Sequence, residues 1–81
     1  MDRKEILNNL YSIIREVHPY LEDVIIVEES DLVVDLQLDS FDQVELIMTI
    51  EDNFDIELDD ADYIECSTVG DIVNLIDKEI N

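Results

Sequence analysis

The chain contains very few of the residues that many functions require. Its 81 residues include one glycine, one proline, one cysteine and one histidine, and no tryptophan. One cysteine excludes an internal disulfide and a cysteine-rich metal site, and one glycine cannot build a glycine-rich phosphate loop. The single histidine, His18, is expected in a surface or loop position without an activated partner. We therefore expect no catalytic residues and no enzyme activity of the chain's own.

Long apolar segments are also absent. No apolar run approaches the ~20 residues that span a bilayer, and the start of the chain has no apolar signal-peptide core. The apolar content of 47% is nevertheless too high for a disordered acidic tail. We expect one folded domain over residues 1–81, monomeric and cytoplasmic, without membrane insertion.

Basic residues are rare and confined to the two ends of the chain. The chain has four Lys and Arg residues against 23 Asp and Glu residues, which gives a net charge of −19. No Lys or Arg lies between Glu16 and Asp77. Such a surface repels nucleic acids and anionic lipids and attracts basic proteins. The alternative is a solvated surface that only maintains solubility. No specific metal site is expected, because residues 51–62 lack the glycine of a calcium-binding EF-hand loop.

Apolar periodicity predicts an all-α fold, a bundle of three longer helices and one short helix. The first helix runs from about Asp2 or Arg3 to Val17. A short acidic helix covers residues 59–64, and the last helix begins near Thr68. Tight β-hairpins are disfavoured because their turn residues are missing. From the residues alone, the segment 20–38 stays open: its β-branched runs at 24–27 and 32–34 suit short strands or buried loop anchors.

The helix predicted from Ser40 to about Asn53 carries two apolar stripes. Asp39 is its N-cap, with Asp42 three residues later. One stripe contains Leu46, Ile47, Ile50 and Phe54. The second contains Phe41, Val44 and Met48, about 140° away around the helix, and is bordered by Glu45, Glu51 and Asp52. The second stripe is either a docking ridge for a partner or a second core face.

Ser40 stands at the start of this helix. A hydroxyl there usually serves only as a cap or as an exposed first-turn residue. The functional alternative is an attachment point for a phosphate, because a helix N-terminus offers free backbone N–H groups and a partial positive charge.

Residues 35–48 (DLQLDSFDQVELIM) resemble the attachment region of the acyl carrier protein family. The resemblance continues through residues 50–58 (IEDNFDIEL) and 67–69, and it covers residues ~30 to 76. It implies a four-helix bundle with a long ordered loop between the first and second helices. It also implies that Ser40 carries 4′-phosphopantetheine, added from coenzyme A by a phosphopantetheinyl transferase, and that Asp39 assists this transfer.

In this family the protein is a non-catalytic carrier, and the thiol of the arm holds acyl groups as thioesters. The resemblance implies partners with basic surfaces: acyl-transferring, condensing or ligase enzymes of fatty-acid or polyketide-type biosynthesis. It assigns partner docking to Phe41, Asp42, Val44, Glu45, Met48, Glu51 and Asp52. It places Leu46, Ile47, Ile50, Phe54 and Ile64 around the interior where an acyl chain can lodge.

The chain departs from the commonest family pattern just before the attachment serine. Gln37 and Leu38 replace the usual Gly-Ala, and Leu-Asp-Ser also occurs in specialised carriers such as D-alanyl carriers. A D-alanyl or peptidyl carrier is therefore an alternative. A more distant one is an acidic protein-binding module that carries no prosthetic group.

Overall fold

The computed structural model describes all 81 residues as a helical bundle. The helices are α1 (Arg3–Val17), α2 (Ser40–Phe54), α3 (Asp60–Tyr63) and α4 (Val69–Ile80). One 3₁₀ turn, Pro19–Leu21, follows α1. The predicted set of three longer helices and one short helix is confirmed. None of these helices is both long and apolar enough to cross a membrane.

Each long helix begins at a side chain that caps it. Asp2 accepts a hydrogen bond from the N–H of Glu5 and starts α1. Thr68 and Asp71 form a reciprocal capping box at the start of α4. These caps satisfy backbone N–H groups that have no partner within the helix, which is why the helix starts agree with the sequence prediction.

The core lies where α1 packs against α2 and α4. Its side chains come from the stripes that periodicity predicted, and together with buried loop residues they form one continuous apolar cluster. The helix residues whose side chains are completely buried in this core are Ile6, Leu10, Ile14, Leu46, Ile50, Val69, Ile72, Val73 and Ile76. The first stripe of α2 therefore faces inward, at Leu46 and Ile50.

The segment between α1 and α2 is an ordered loop without a β-strand. Its backbone is joined to the start of α4 by three hydrogen bonds. Leu32 donates to the carbonyl of Ser67 at 2.9 Å, Val69 donates to Ser30 at 3.1 Å, and Gly70 donates to Glu28 at 2.9 Å. The only ladder-like contact is an isolated bridge between Asp31 and Thr68.

The alternative of buried loop anchors is right for one residue in each β-branched run, Ile26 and Leu32, which are buried in the core cluster. The valines around them are exposed. Outside these runs, Leu21, Leu36 and Leu38 are buried as well. A strand is excluded because the backbone partners of this segment lie in the α3–α4 connection and not in a neighbouring strand.

His18 lies in the connection after α1, as the expected loop position requires, but it is buried and not on the surface. The side chain is only 3% exposed. It lies at the end of α1, where the Pro19–Leu21 turn reverses the chain, and its ring packs edge-on against Tyr20 with the centroids 5.6 Å apart. Its Nδ1 is 3.9 Å from Oδ1 of Asp42 on α2. The turn folds the imidazole back against the first turn of α2.

Candidate functional site

Ser40 is the first residue of α2, and its side chain is exposed. Its hydroxyl takes part in no hydrogen bond, and neither its own N–H nor that of Phe41 donates to any acceptor in the protein. These groups lie at the helix N-terminus, where the dipole carries a partial positive charge. The hydroxyl is thus free to react and has two unused donors beside it.

A capping box fixes the backbone on either side of Ser40. The N–H of Asp42 donates to Oδ1 of Asp39 at 2.8 Å. In return, the N–H of Asp39 donates to Oδ2 of Asp42 at 3.1 Å. Each carboxylate satisfies one backbone donor, so the start of α2 is held without involving the serine hydroxyl.

The chain turns sharply before this cap. Gln37 adopts the left-handed conformation, with φ of 56°, between the buried side chains of Leu36 and Leu38. This is the position at which the resemblance expected the commoner glycine, a residue that adopts the left-handed conformation without steric cost. The two buried leucines anchor the turn, and the turn directs Ser40 outward at the helix start.

This arrangement fits a phosphodiester. A phosphate oxygen bonded to the serine carbon would lie beside the free N–H groups of Ser40 and Phe41, and helix N-termini stabilise such anions by about 0.3–1 kcal/mol at exposed sites. No acidic side chain needs to move, because Asp39 and Asp42 already point to backbone donors. The residues that would hold the group are therefore Ser40 and the first turn of α2.

The second stripe of α2 lies on the surface. Phe41, Val44 and Met48 are exposed to 77%, 55% and 61%. The alternative that this stripe is a second core face is therefore wrong. We call the stripe with its acidic neighbours the docking ridge: Phe41, Asp42, Val44, Glu45, Met48, Glu51 and Asp52.

Two acidic members of the docking ridge also have intramolecular partners. Asp42 closes the capping box, and Oε2 of Glu51 accepts a hydrogen bond from the N–H of Leu58 at 2.9 Å. Glu45 and Asp52 are exposed, and their side chains form no salt bridge. These two carboxylates are the ones most available to a partner.

A solvent-open crease of about 340 Å³ separates α2 from α3 directly beside Ser40. Its walls include Ser40, Val44, Ile47, Tyr63, Ile64 and Cys66. Ile64 was expected in the interior but is 81% exposed, because α3 ends after a single turn and leaves this side chain at the rim. Of the other residues expected there, Leu46 and Ile50 are buried, whereas Ile47 and Phe54 are half-buried.

Sequence reasoning missed Gln43, Tyr63 and Cys66 as residues of this site. Gln43 stands three residues after Ser40, so helical spacing places both on neighbouring turns and could have indicated it. Tyr63 carried no comparable signal. Cys66 is half-buried and packs against the core, and burial, followed by the charges of Asp71, Asp62 and Glu65, raises the pKa of its thiol to about 11.

Comparison with known proteins agrees with this geometry. The family model described as the phosphopantetheine attachment site matches residues 9–76. The chain is 42% identical over 78 residues to the acyl carrier protein of Thermotoga maritima, covering 96% of this chain and 95% of that protein. It is 36% identical over 80 residues to the acyl carrier protein of Coprothermobacter proteolyticus, with 99% and 96% covered.

Two solved structures share the fold. A candidate acyl carrier protein from Mycobacterium tuberculosis superimposes with a TM-score of 0.81 at 30% identity, covering 90% of this chain and 96% of that one. The acetyl-donor carrier protein seen in complex with the curacin-pathway HMG synthase superimposes with a TM-score of 0.82 at 20% identity, covering 98% of this chain and 100% of that one. The second likeness concerns the fold alone.

Proposed function

Because the chain belongs to the acyl carrier protein family, we propose that the Ser40 hydroxyl is the attachment point of the family's phosphopantetheine group. The observation that carries this proposal is the free hydroxyl at a capped helix start, next to two backbone N–H groups without acceptors. Asp39 would keep the attachment turn in place for the transferase, since its carboxylate holds the N–H of Asp42.

Once attached, phosphopantetheine supplies a terminal thiol that holds acyl groups as thioesters. The chain's own contribution is to bind the root of the group, to present it on an exposed helix start and to offer a surface for partner enzymes. In this proposal partner enzymes supply the catalysis. We assign the protein to fatty-acid or polyketide-type biosynthesis as a cytoplasmic, monomeric, non-catalytic carrier.

The docking ridge would bring the partner enzymes to Ser40. It begins at the residue after Ser40 and combines exposed apolar side chains with exposed carboxylates. No basic residue lies on α2. A partner with an apolar patch rimmed by Lys and Arg fits this surface, and its positive charge would speed encounter with a chain of net charge −19.

The attachment is tested by intact mass. The chain lacking the arm is incubated with coenzyme A and a broad-specificity phosphopantetheinyl transferase. Wild type should gain the mass of one phosphopantetheine, Ser40→Ala none, and Ser67→Ala one. Ser67 is the matched control because it is also an exposed serine near a helix start, two residues before α4. A wild type that stays unmodified, or a Ser40→Ala chain that is modified, contradicts the proposal.

The pathway is tested by the group found on protein isolated from its native cell. Acyl chains on the arm support the proposed role, whereas D-alanine or another amino acid assigns the chain to the specialised carriers. An acidic binding module without a prosthetic group would show no modification and would bind a basic partner equally well as Ser40→Ala.

A further inference from the structure

Tyr63 forms the inner wall of the crease beside Ser40. It is only 6% exposed although it ends a helix of one turn, and it belongs to the same apolar cluster as Leu46 and Ile50. It also lines the crease. The ring therefore stands between the solvent-open crease on one side and the core on the other.

The phenol is held in this position by a hydrogen bond across the crease. The hydroxyl of Tyr63 donates to Oε1 of Gln43 on α2 at 3.3 Å. The amide nitrogen of Gln43 in turn donates to the carbonyl of Leu38 at 3.3 Å, at the turn that leads into α2. This chain of contacts joins α3, α2 and the attachment turn. Burial raises the pKa of the phenol to about 12, so it remains a neutral donor at physiological pH.

No open space lies behind the ring. The three cavities of the molecule open to the surface, and neither Leu46 nor Ile50 lines any of them. Both side chains are completely buried, and close-packed side chains leave no room for an inserted chain without displacement. A group entering from Ser40 would have to move the Tyr63 ring and leave Gln43 without its donor.

We propose that Tyr63, held by Gln43, closes the crease toward the core and restricts the cargo of this carrier to short acyl groups. This inference rests on the proposed attachment at Ser40. The crease offers about 340 Å³, and it is the buried Tyr63 ring, not this volume, that stops a chain from extending toward the core. A short acyl group can lie against Val44, Ile47 and Ile64, whereas the end of a long chain stays in water.

The test compares acyl groups of different length on one protein variant at a time. Butyryl-, octanoyl- and dodecanoyl-coenzyme A are used with a transferase to load each variant, and intact mass verifies loading. Two measurements follow: the Tm by circular dichroism, and the NMR methyl shifts of Leu46 and Ile50. In wild type, dodecanoyl loading should leave the core methyl shifts unchanged and give no higher Tm than butyryl loading.

Tyr63→Ala should open the path. In this variant, dodecanoyl loading should shift the methyl signals of Leu46 and Ile50 and raise the Tm by about 5 °C or more above the butyryl form, because apolar methylenes become buried. Tyr63→Leu gives the same comparison, with a smaller expected rise, if the alanine variant does not fold. Tyr63→Phe keeps the ring but loses the hydrogen bond to Gln43, so it should admit the long chain with smaller methyl shifts than Tyr63→Ala.

Two results would overturn the inference alone: core methyl shifts in dodecanoyl-loaded wild type, or continued exclusion of the long chain by both Tyr63→Ala and Tyr63→Phe. The absence of any mass gain on loading would overturn the proposed attachment as well. Because every variant is compared with itself at different chain lengths, its loss of basal stability cancels from the comparison.

Discussion

Alanine substitutions at Leu46 and Met48, two residues apart on α2, should have different effects. The first should lower stability, and the second should weaken partner binding. Leu46 is completely buried, and its replacement by alanine removes core contacts and leaves a cavity. Such changes cost about 2–5 kcal/mol. In a domain of this size each kcal/mol lowers the Tm by about 4–8 °C. Leu46→Ala should therefore lower the Tm by at least about 8 °C. It should also lower the urea concentration at which half of the protein is unfolded.

Met48 is 61% exposed and lies in the docking ridge. Exposed substitutions usually change stability by no more than about 0.5 kcal/mol, so Met48→Ala should shift the Tm by less than about 4 °C. If the ridge contacts the transferase, the same substitution should raise the KM for the chain about tenfold, the loss expected of a central interface residue. Glu45→Lys should raise KM too, whereas Glu79→Lys, an equal charge change on the exposed side of α4, should not.

Urea denaturation followed by circular dichroism gives the stabilities, and transferase kinetics with varied chain concentration give KM. A loss of 2 kcal/mol or more in Met48→Ala would show that the second stripe supports the core, and the assignment of the docking ridge would fail. An unchanged KM in both Met48→Ala and Glu45→Lys would leave the stripe exposed but would remove it from the transferase interface.

Three further predictions follow from individual residues. Gln37→Gly should raise stability by about 0.5 kcal/mol in urea denaturation, because glycine relieves the left-handed backbone by more than it loses in chain entropy; a loss of stability would contradict this. Hydrogen bonds from the N–H groups of Ser67 and Thr68 lower the pKa of Asp71 from its ordinary value of 3.8, so its stabilising contribution is present at neutral pH and is lost as the pH falls below that value. Asp71→Asn should thus have a lower Tm than wild type at pH 7, and this difference in Tm should shrink below pH 4. A difference that is independent of pH would refute the stabilising role of the ionised Asp71 carboxylate. With a thiol pKa near 11, Cys66 in the chain without its arm should react with maleimide about 100-fold more slowly than in urea, because the thiolate is the reacting form; equal rates would show that the thiol is not buried.

The helices could be predicted because their determinants are local. Caps such as Asp39 and Thr68 act within three residues, and the apolar stripes depend only on helical spacing. Those signals gave the starts of α1, α2 and α4 to within a residue. The choice between a core face and a surface face for Met48 could not be made in the same way, because it depends on which helices pack against α2.

The loop could not be predicted because its partners are distant in sequence. The runs at 24–27 and 32–34 have the composition of strands, but the backbone of Leu32 pairs with Ser67 and that of Gly70 with Glu28. No local pattern indicates such contacts. The burial of His18 has the same origin, since it requires Asp42 and Tyr20 to come together at the start of α2.

Within the site, the position of Ser40 could be predicted and the crease could not. The Asp-Ser pair and the following helix are contiguous in sequence, and residues 35–48 carry the family resemblance. The crease forms because α3, which packs on α4, stands across from α2, and α3 is a helix of four residues with little periodicity of its own. Ile64 was consequently expected inside, and Tyr63 was not singled out.

If the docking ridge binds partner enzymes as proposed, its position links partner binding to cargo delivery. Ser40 and Met48 are eight residues apart on one helix, which corresponds to about 12 Å along the axis. A partner of ordinary interface size that covers the ridge therefore also reaches the start of α2. The negative charge of a phosphodiester at Ser40 would reinforce the acidic ridge in attracting a basic partner. Within α2 itself that charge is stabilised rather than repelled, because it lies at the N-terminal end of the helix dipole. In this proposal α2 alone holds the root of the arm, faces the partner and packs against the core.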